Sequence, residues 1–126
     1  NVLLDNTPDT EQILQDSTAA LLTSAMEDVI TQGTGTRARL SNMPVAGKTG
    51  TTNGAHDAWF VGYTPNMVTA VWIGDDTSTN AGYTGGTIPA TIFRDFMSQA
   101  TASQSASSFN IPASNQGELA KAQNEA

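Results

Sequence analysis

Ala46-Gly47-Lys48-Thr49-Gly50-Thr51-Thr52-Asn53 gathers one cation, three hydroxyls and two glycines in an otherwise acidic chain, and what this stretch folds into decides the rest. One reading is a phosphate-binding loop, Gly-x-x-x-x-Gly-Lys-Ser/Thr, whose backbone N–H groups cradle phosphates. Its leading glycine would fall on Asn42, and the loop should open a helix, for which Gly50, Thr51, Thr52, Asn53 and Gly54 are poor formers. The other reading is a β-strand over residues 45–52, ended by the turn signal Asn53-Gly54. Working outward, residues 58–64 and 67–74 are rich in aromatic and β-branched side chains and predict two more strands, joined at Thr64-Pro65-Asn66. Connections this short force antiparallel neighbours. The predicted unit is a three-stranded meander.

Two helices should flank it. Over residues 17–32, Leu21, Leu22, Ala25, Met26, Val29 and Ile30 recur on one face, Asp16 or Ser17 offers an N-cap, and Gly33 stands where a left-handed residue ends a helix. Over residues 87–100, Thr87 offers an N-cap, Pro89 suits the first turn, and Ile92, Phe93, Phe96 and Met97 recur at helical spacing. The fold class is α+β. Residues 1–16 carry four acids and no base and read as a solvated lead-in; residues 17–100 form the folded part. Residues 101–126, whose large apolar side chains are Phe109, Ile111 and Leu119 alone, read as a low-complexity, mostly disordered tail. The second and third strands are apolar on both faces, which asks for more cover than two helices supply. Another subunit, or the rest of a longer chain, is expected there.

At 126 residues the chain makes one small domain at most, by the usual size of about 100–200 residues. A net charge of −7 argues against a nucleic-acid partner, which would need cations to displace phosphate counterions. No Cys and one His exclude thiol chemistry, disulfides and a zinc cage, and no cofactor is expected. The longest nearly apolar run, residues 68–74, falls far short of the ~20 residues that span a bilayer. The chain's start has no basic region, so no secretory signal is expected in it.

If residues 45–52 form an edge strand, Thr49 and Thr51 project to one side, where two hydroxyls can hold a carboxylate. Gly50 lets a ligand backbone come close, and Gly47 eases the strand's approach to its surroundings. The backbone of Thr51 is placed to pair with a peptide, and Lys48 adds a point charge on a flexible stem. No nucleophile with its base is evident. Taken alone, Lys48 reads as a charge that keeps a strand edge from aggregating. Arg37 and Arg39 read as surface charges near a helix end, and His56 as an exposed loop residue. Asp57 either shapes the turn or lies near the site mouth. Asp75 and Asp76 read as a solvated pair, and Trp59 and Trp72 as packing, with Trp59 alternatively bordering the cleft. Phe109 and Ile111-Pro112 read as the part of the tail that docks back onto the domain.

Four ordered blocks change the weight of Lys48: Gly33-Thr34-Gly35-Thr36-Arg37-Ala38, the Ala46-to-Asn53 stretch, Asp57-Ala58-Trp59-Phe60-Val61-Gly62-Tyr63-Thr64-Pro65, and Val71-Trp72-Ile73-Gly74. Together they resemble the C-terminal part of the transpeptidase domain of class A (bifunctional) penicillin-binding proteins, over about residues 17–97. The resemblance implies a serine D,D-transpeptidase that cross-links peptidoglycan stem peptides by acyl transfer and is acylated by β-lactams. It implies that Lys48-Thr49-Gly50 is the Lys-Thr-Gly triplet on the sheet edge lining the active site. Lys48 and Thr51 would be catalytic, Lys48 bonding the Ser of a Ser-x-Asn motif and Thr51 giving one of two oxyanion N–H donors. Thr49, Gly50, Thr51 and Thr52 would bind substrate, with Thr49 and Thr51 on the terminal carboxylate. The family's Ser-x-x-Lys is absent, and Ser78-Thr79-Asn80 follows the Lys-Thr-Gly instead of preceding it, which reads as coincidence. The nucleophile and the true Ser-x-Asn are therefore expected upstream, in a parent anchored to the cytoplasmic membrane with this part outside it. The rival reading is a non-catalytic, cell-wall-associated binding module with a degenerate site. A β-lactamase ranks third, because the first and third blocks look more like a synthase.

Overall fold

Alternation of small or polar and apolar side chains builds the sheet. The computed structural model describes residues 5, 7–74 and 82–111. In it β1 (Ala46–Thr51), β2 (Asp57–Tyr63) and β3 (Val68–Gly74) pair antiparallel in that order. Lys48 lies opposite Val61, Gly50 opposite Trp59, and Trp59 opposite Trp72. Side chains alternate along each strand, so Gly47, Thr49, Thr51, Phe60 and Val71 share one face. Lys48, Gly50, Trp59, Val61, Ala70 and Trp72 share the other.

The Phe60 face carries the core. Helix α2 (Ile88–Ala100) lies on it with Phe93 and Met97 fully buried, and the Phe93 ring meets Phe60 edge to face at 4.8 Å. Helix α1 (Asp16–Thr31) packs across β1 and adds Ile30, while a 3-10 turn at Thr36–Ala38 adds Ala38. Each large apolar side chain buried this way contributes about 1.5–3 kcal/mol. The opposite face is open around its tryptophans, Trp59 being 42% exposed and Trp72 50% with their rings 6.2 Å apart, while Tyr63 at its other end is covered by α1 and Phe109. The two tryptophans thus touch each other but are not packed into a core. The three antiparallel strands and two helices are those the sequence predicts, with no end moved by more than one residue.

Local chemistry departs from expectation at several points. Neither Asp16 nor Ser17 caps α1; Gln15 holds the N-cap position, and Asp16 is engaged by Gln12 at 2.9 Å. Thr87 does precede α2, but its hydroxyl turns back and donates to the Thr84 carbonyl at 2.7 Å. Gly33 is not left-handed: among the described residues the glycines with positive φ are Gly54 and Gly82. A Cβ on Gly33 would come within 2.8 Å of the Val29 backbone, so crowding at the helix end is what selects glycine there. On α1 and α2 the predicted apolar faces are only partly used, since Leu22, Ile92 and Phe96 are exposed. After α2 the chain continues with Thr101 buried and bonded to Asn42, Ser107 on Asn66, and Phe109 edge to face with Tyr63 at 5.5 Å. Asp75, Asp76, Ser78-Thr79-Asn80, Pro112 and Leu119 lie outside the described residues.

Candidate functional site

The end of β1 is built so that side chains and backbone offer different things. Beyond the strand, Thr52 N–H still donates to the Asp57 carbonyl at 3.0 Å. In an antiparallel ladder such pairs recur every second residue, so Gly50 and Lys48 bond toward β2. The N–H and C=O of Thr49 and Thr51 therefore face away from β2, along the sheet edge. Lys48 is exposed on the Trp59 face, and its Nζ curls to that same edge and donates to the Thr49 carbonyl at 3.0 Å.

Thr49 and Thr51 open onto a groove of about 460 Å³, lined by Thr34, Thr36, Arg37, Thr49, Thr51, Thr84, Gly86 and Thr87. Thr34 and Thr49 share a hydroxyl–hydroxyl bond of 2.7 Å, and Thr51 Oγ1 accepts the Gly85 N–H at 3.2 Å. Gly85 lies directly over the β1–β2 ladder: a Cβ there would sit 2.6 Å from Gly50 O and 2.8 Å from Gly50 N. The close backbone approach expected at Gly50 is thus made, on this face, by the chain's own Gly85. Among the described residues no acid lines the groove, although the chain as a whole is strongly acidic.

Of the residues singled out in the sequence, Thr49 and Thr51 come together here, while Lys48 and Gly50 lie on the opposite face. Thr52 is elsewhere. Its hydroxyl accepts the Asp57 N–H at 2.9 Å, so it holds the turn and is not in the groove. Asp57 does likewise, its Oδ1 accepting the Trp72 indole N–H at 2.9 Å. His56 is half-buried and its Nδ1 has no partner, where an exposed loop residue was expected. Arg39, two residues from Arg37, donates to the Thr31 carbonyl at 2.7 Å and closes the C-terminus of α1, the end where a cation is favoured. Arg37 instead reaches the groove, and among the described residues it makes no hydrogen bond or ion pair. The sequence treated both arginines alike, and nothing local in it separates them. Ser108-Phe109-Asn110 is a further Ser-x-Asn triplet that the sequence reading passes over; Phe109 packs it against Tyr63, at the other end of β1 from Thr51. No three acidic or histidine side chains converge as metal ligands among the described residues.

Residues 3–98 match the family model described as the penicillin binding protein transpeptidase domain. The chain belongs to that family. Its curated relatives include penicillin-binding protein 1A of Aquifex aeolicus, 35% identical over 90% of this chain, and that of Pseudomonas aeruginosa, 44% identical over 69%. Penicillin-binding protein 1A of Rickettsia typhi is 39% identical over 72% of the chain. The matched stretch covers 16%, 11% and 12% of these three relatives, so the chain spans a small part of each.

Proposed function

We propose that the chain is the C-terminal part of a serine D,D-transpeptidase that cross-links peptidoglycan stem peptides and is acylated by β-lactams. The observation that carries the reading is the β1 edge itself. The hydroxyls of Thr49 and Thr51 enter one groove, the backbone of Thr51 faces outward along the sheet edge, and Lys48, from the opposite face, brings its Nζ round to that edge at the Thr49 carbonyl. An upstream serine would attack the penultimate D-Ala carbonyl, with the Thr51 N–H as one donor to the developing oxyanion. The terminal D-Ala leaves, and the amine of a second stem peptide then displaces the serine oxygen to form the cross-link. Thr49 and Thr51 would hold the donor's terminal carboxylate, with Gly50 between them. Lys48 would bond an upstream Ser-x-Asn serine, for which its exposed ammonium on a flexible stem is suited. Residues 17–100 would be the transpeptidase part and 101–126 an appendage. The remainder of the parent would supply the nucleophile, and an anchor holding the site outside the cytoplasmic membrane. Acyl transfer of this kind needs no metal or organic cofactor. Among the described residues no helix is long and apolar enough to cross a membrane.

The test is to express the full parent protein and treat it with a fluorescent penicillin. The expected result is a covalent adduct on a serine upstream of Asn1, slowed by Lys48→Ala, with the isolated 126-residue chain unlabelled. No adduct on the parent, or an adduct mapped inside residues 1–126, overturns the reading.

A further inference from the structure

We propose that Arg37 is the specificity residue that makes the threonine groove select a ligand bearing a free carboxylate; this rests on the transpeptidase reading above and goes beyond it. Thr51 Oγ1 already accepts the Gly85 N–H, so its own proton is left to donate into the groove. The Thr34–Thr49 pair uses one of its two hydroxyl protons internally and keeps one to give. Two neutral O–H donors would receive an amide or ester carbonyl much as they receive a carboxylate. A full positive charge in the same groove breaks that tie, and a guanidinium fork matches the two carboxylate oxygens in shape.

The identity of that charge follows by elimination among the described cations. Lys48 stands on the opposite face of β1, with its ammonium on the Thr49 carbonyl. Arg39 is tied to the end of α1, and Arg94 is paired with Asp95 at 2.7 Å. Among the described residues Arg37 is the one cation that lines the groove, unpaired and with no acid in that lining to neutralise it. In a chain of net charge −7, an anionic ligand is otherwise repelled, so a local cation also favours its approach.

The experiment compares two probes on the full parent protein: benzylpenicillin, which carries the carboxylate, and its methyl ester, which does not. Wild type should be acylated faster by the acid. Arg37→Gln should slow acylation by benzylpenicillin about 10- to 100-fold, leave the methyl ester within about twofold, and so collapse the preference. Arg37→Lys keeps the charge without the fork and should give a smaller loss, again for the acid only. Should Arg37→Gln fail to fold, the Lys variant carries the same comparison. Equal slowing of both probes would mean that Arg37 merely supports the fold, and an unchanged acid rate would mean that it does not meet the carboxylate; either overturns the proposal. A parent that reacts with neither probe overturns the transpeptidase reading first, and the role of Arg37 with it.

Discussion

Thr51 offers a hydroxyl to the groove and an N–H to the sheet edge, and the size of a mutational effect can tell the two apart. Thr51→Val keeps the strand-favouring shape and the N–H but removes the hydroxyl. On the proposed mechanism the variant parent should acylate with benzylpenicillin about 10-fold more slowly, the cost of one or two neutral hydrogen bonds. A loss of ~10²–10³-fold, the usual cost of a missing oxyanion donor, would instead mean that the substitution had displaced the backbone. Gly85 makes the complementary case. With Gly50 O and N at 2.6 and 2.8 Å from its would-be Cβ, Gly85→Ala must push the Thr84–Thr87 turn off the strand. The Gly85 N–H then leaves Thr51, and the groove loses one wall. A stability loss of about 1–3 kcal/mol is expected by thermal melting of the parent, together with slower acylation. None of this is visible in sequence, because residues 50 and 85 are far apart in the chain and only the folded backbone brings them together.

Among the elements, α1 carries a built-in pH dependence. Burial, and secondarily the neighbouring Asp28 carboxylate, raise the Glu27 carboxyl above its ordinary value. A carboxyl whose folded value lies above the unfolded one adds stability below the unfolded value, and that contribution is lost as pH rises through the folded value. At neutral pH the ionised Glu27 therefore destabilises the helix. Glu27→Gln should raise the melting temperature of the parent at pH 7, with the advantage shrinking as pH falls through the raised folded value and gone below the ordinary carboxyl value, where both side chains are neutral. An unchanged melt at pH 7 would remove α1 from this account. The helix itself was legible, as were α2 and all three strands, because hydrophobic period and turn residues act over a few neighbours. Caps were not. Asp16 and Thr87 found other partners in Gln12 and Thr84, a choice between hydrogen bonds of similar strength that spacing does not settle. Thr49 and Thr51 on one side followed from strand alternation. Arg37 did not, because the Thr36–Ala38 turn sends two arginines two residues apart in different directions.

For the whole molecule, the open sheet face around the tryptophans decides what the chain is when isolated. Val68 is 69% exposed, beside Trp59, Val61 and Trp72, and α2 leaves Ile92 and Phe96 uncovered above the β3 edge. A patch of this kind next to a strand that, among the described residues, is paired on one side only invites association through both apolar contact and backbone pairing. If the rest of a transpeptidase domain covers it, the same substitution must act with opposite sign in two settings. In the isolated chain, Trp72→Ala removes exposed apolar surface and should reduce self-association seen by light scattering, with little loss of fold. In the parent it removes a buried tryptophan and should cost about 3–5 kcal/mol. Tryptophan fluorescence gives an independent reading, red-shifted for the chain alone and blue-shifted for the parent. The stand-alone module predicts instead a cooperative, monomeric melt of the 126 residues, with Trp72→Ala nearly neutral in both settings. Opposite signs would tie this face to the missing part of the fold; matching signs would leave Lys48, Thr49 and Thr51 on a module complete in itself, where a carboxylate could bind but nothing would attack its ligand.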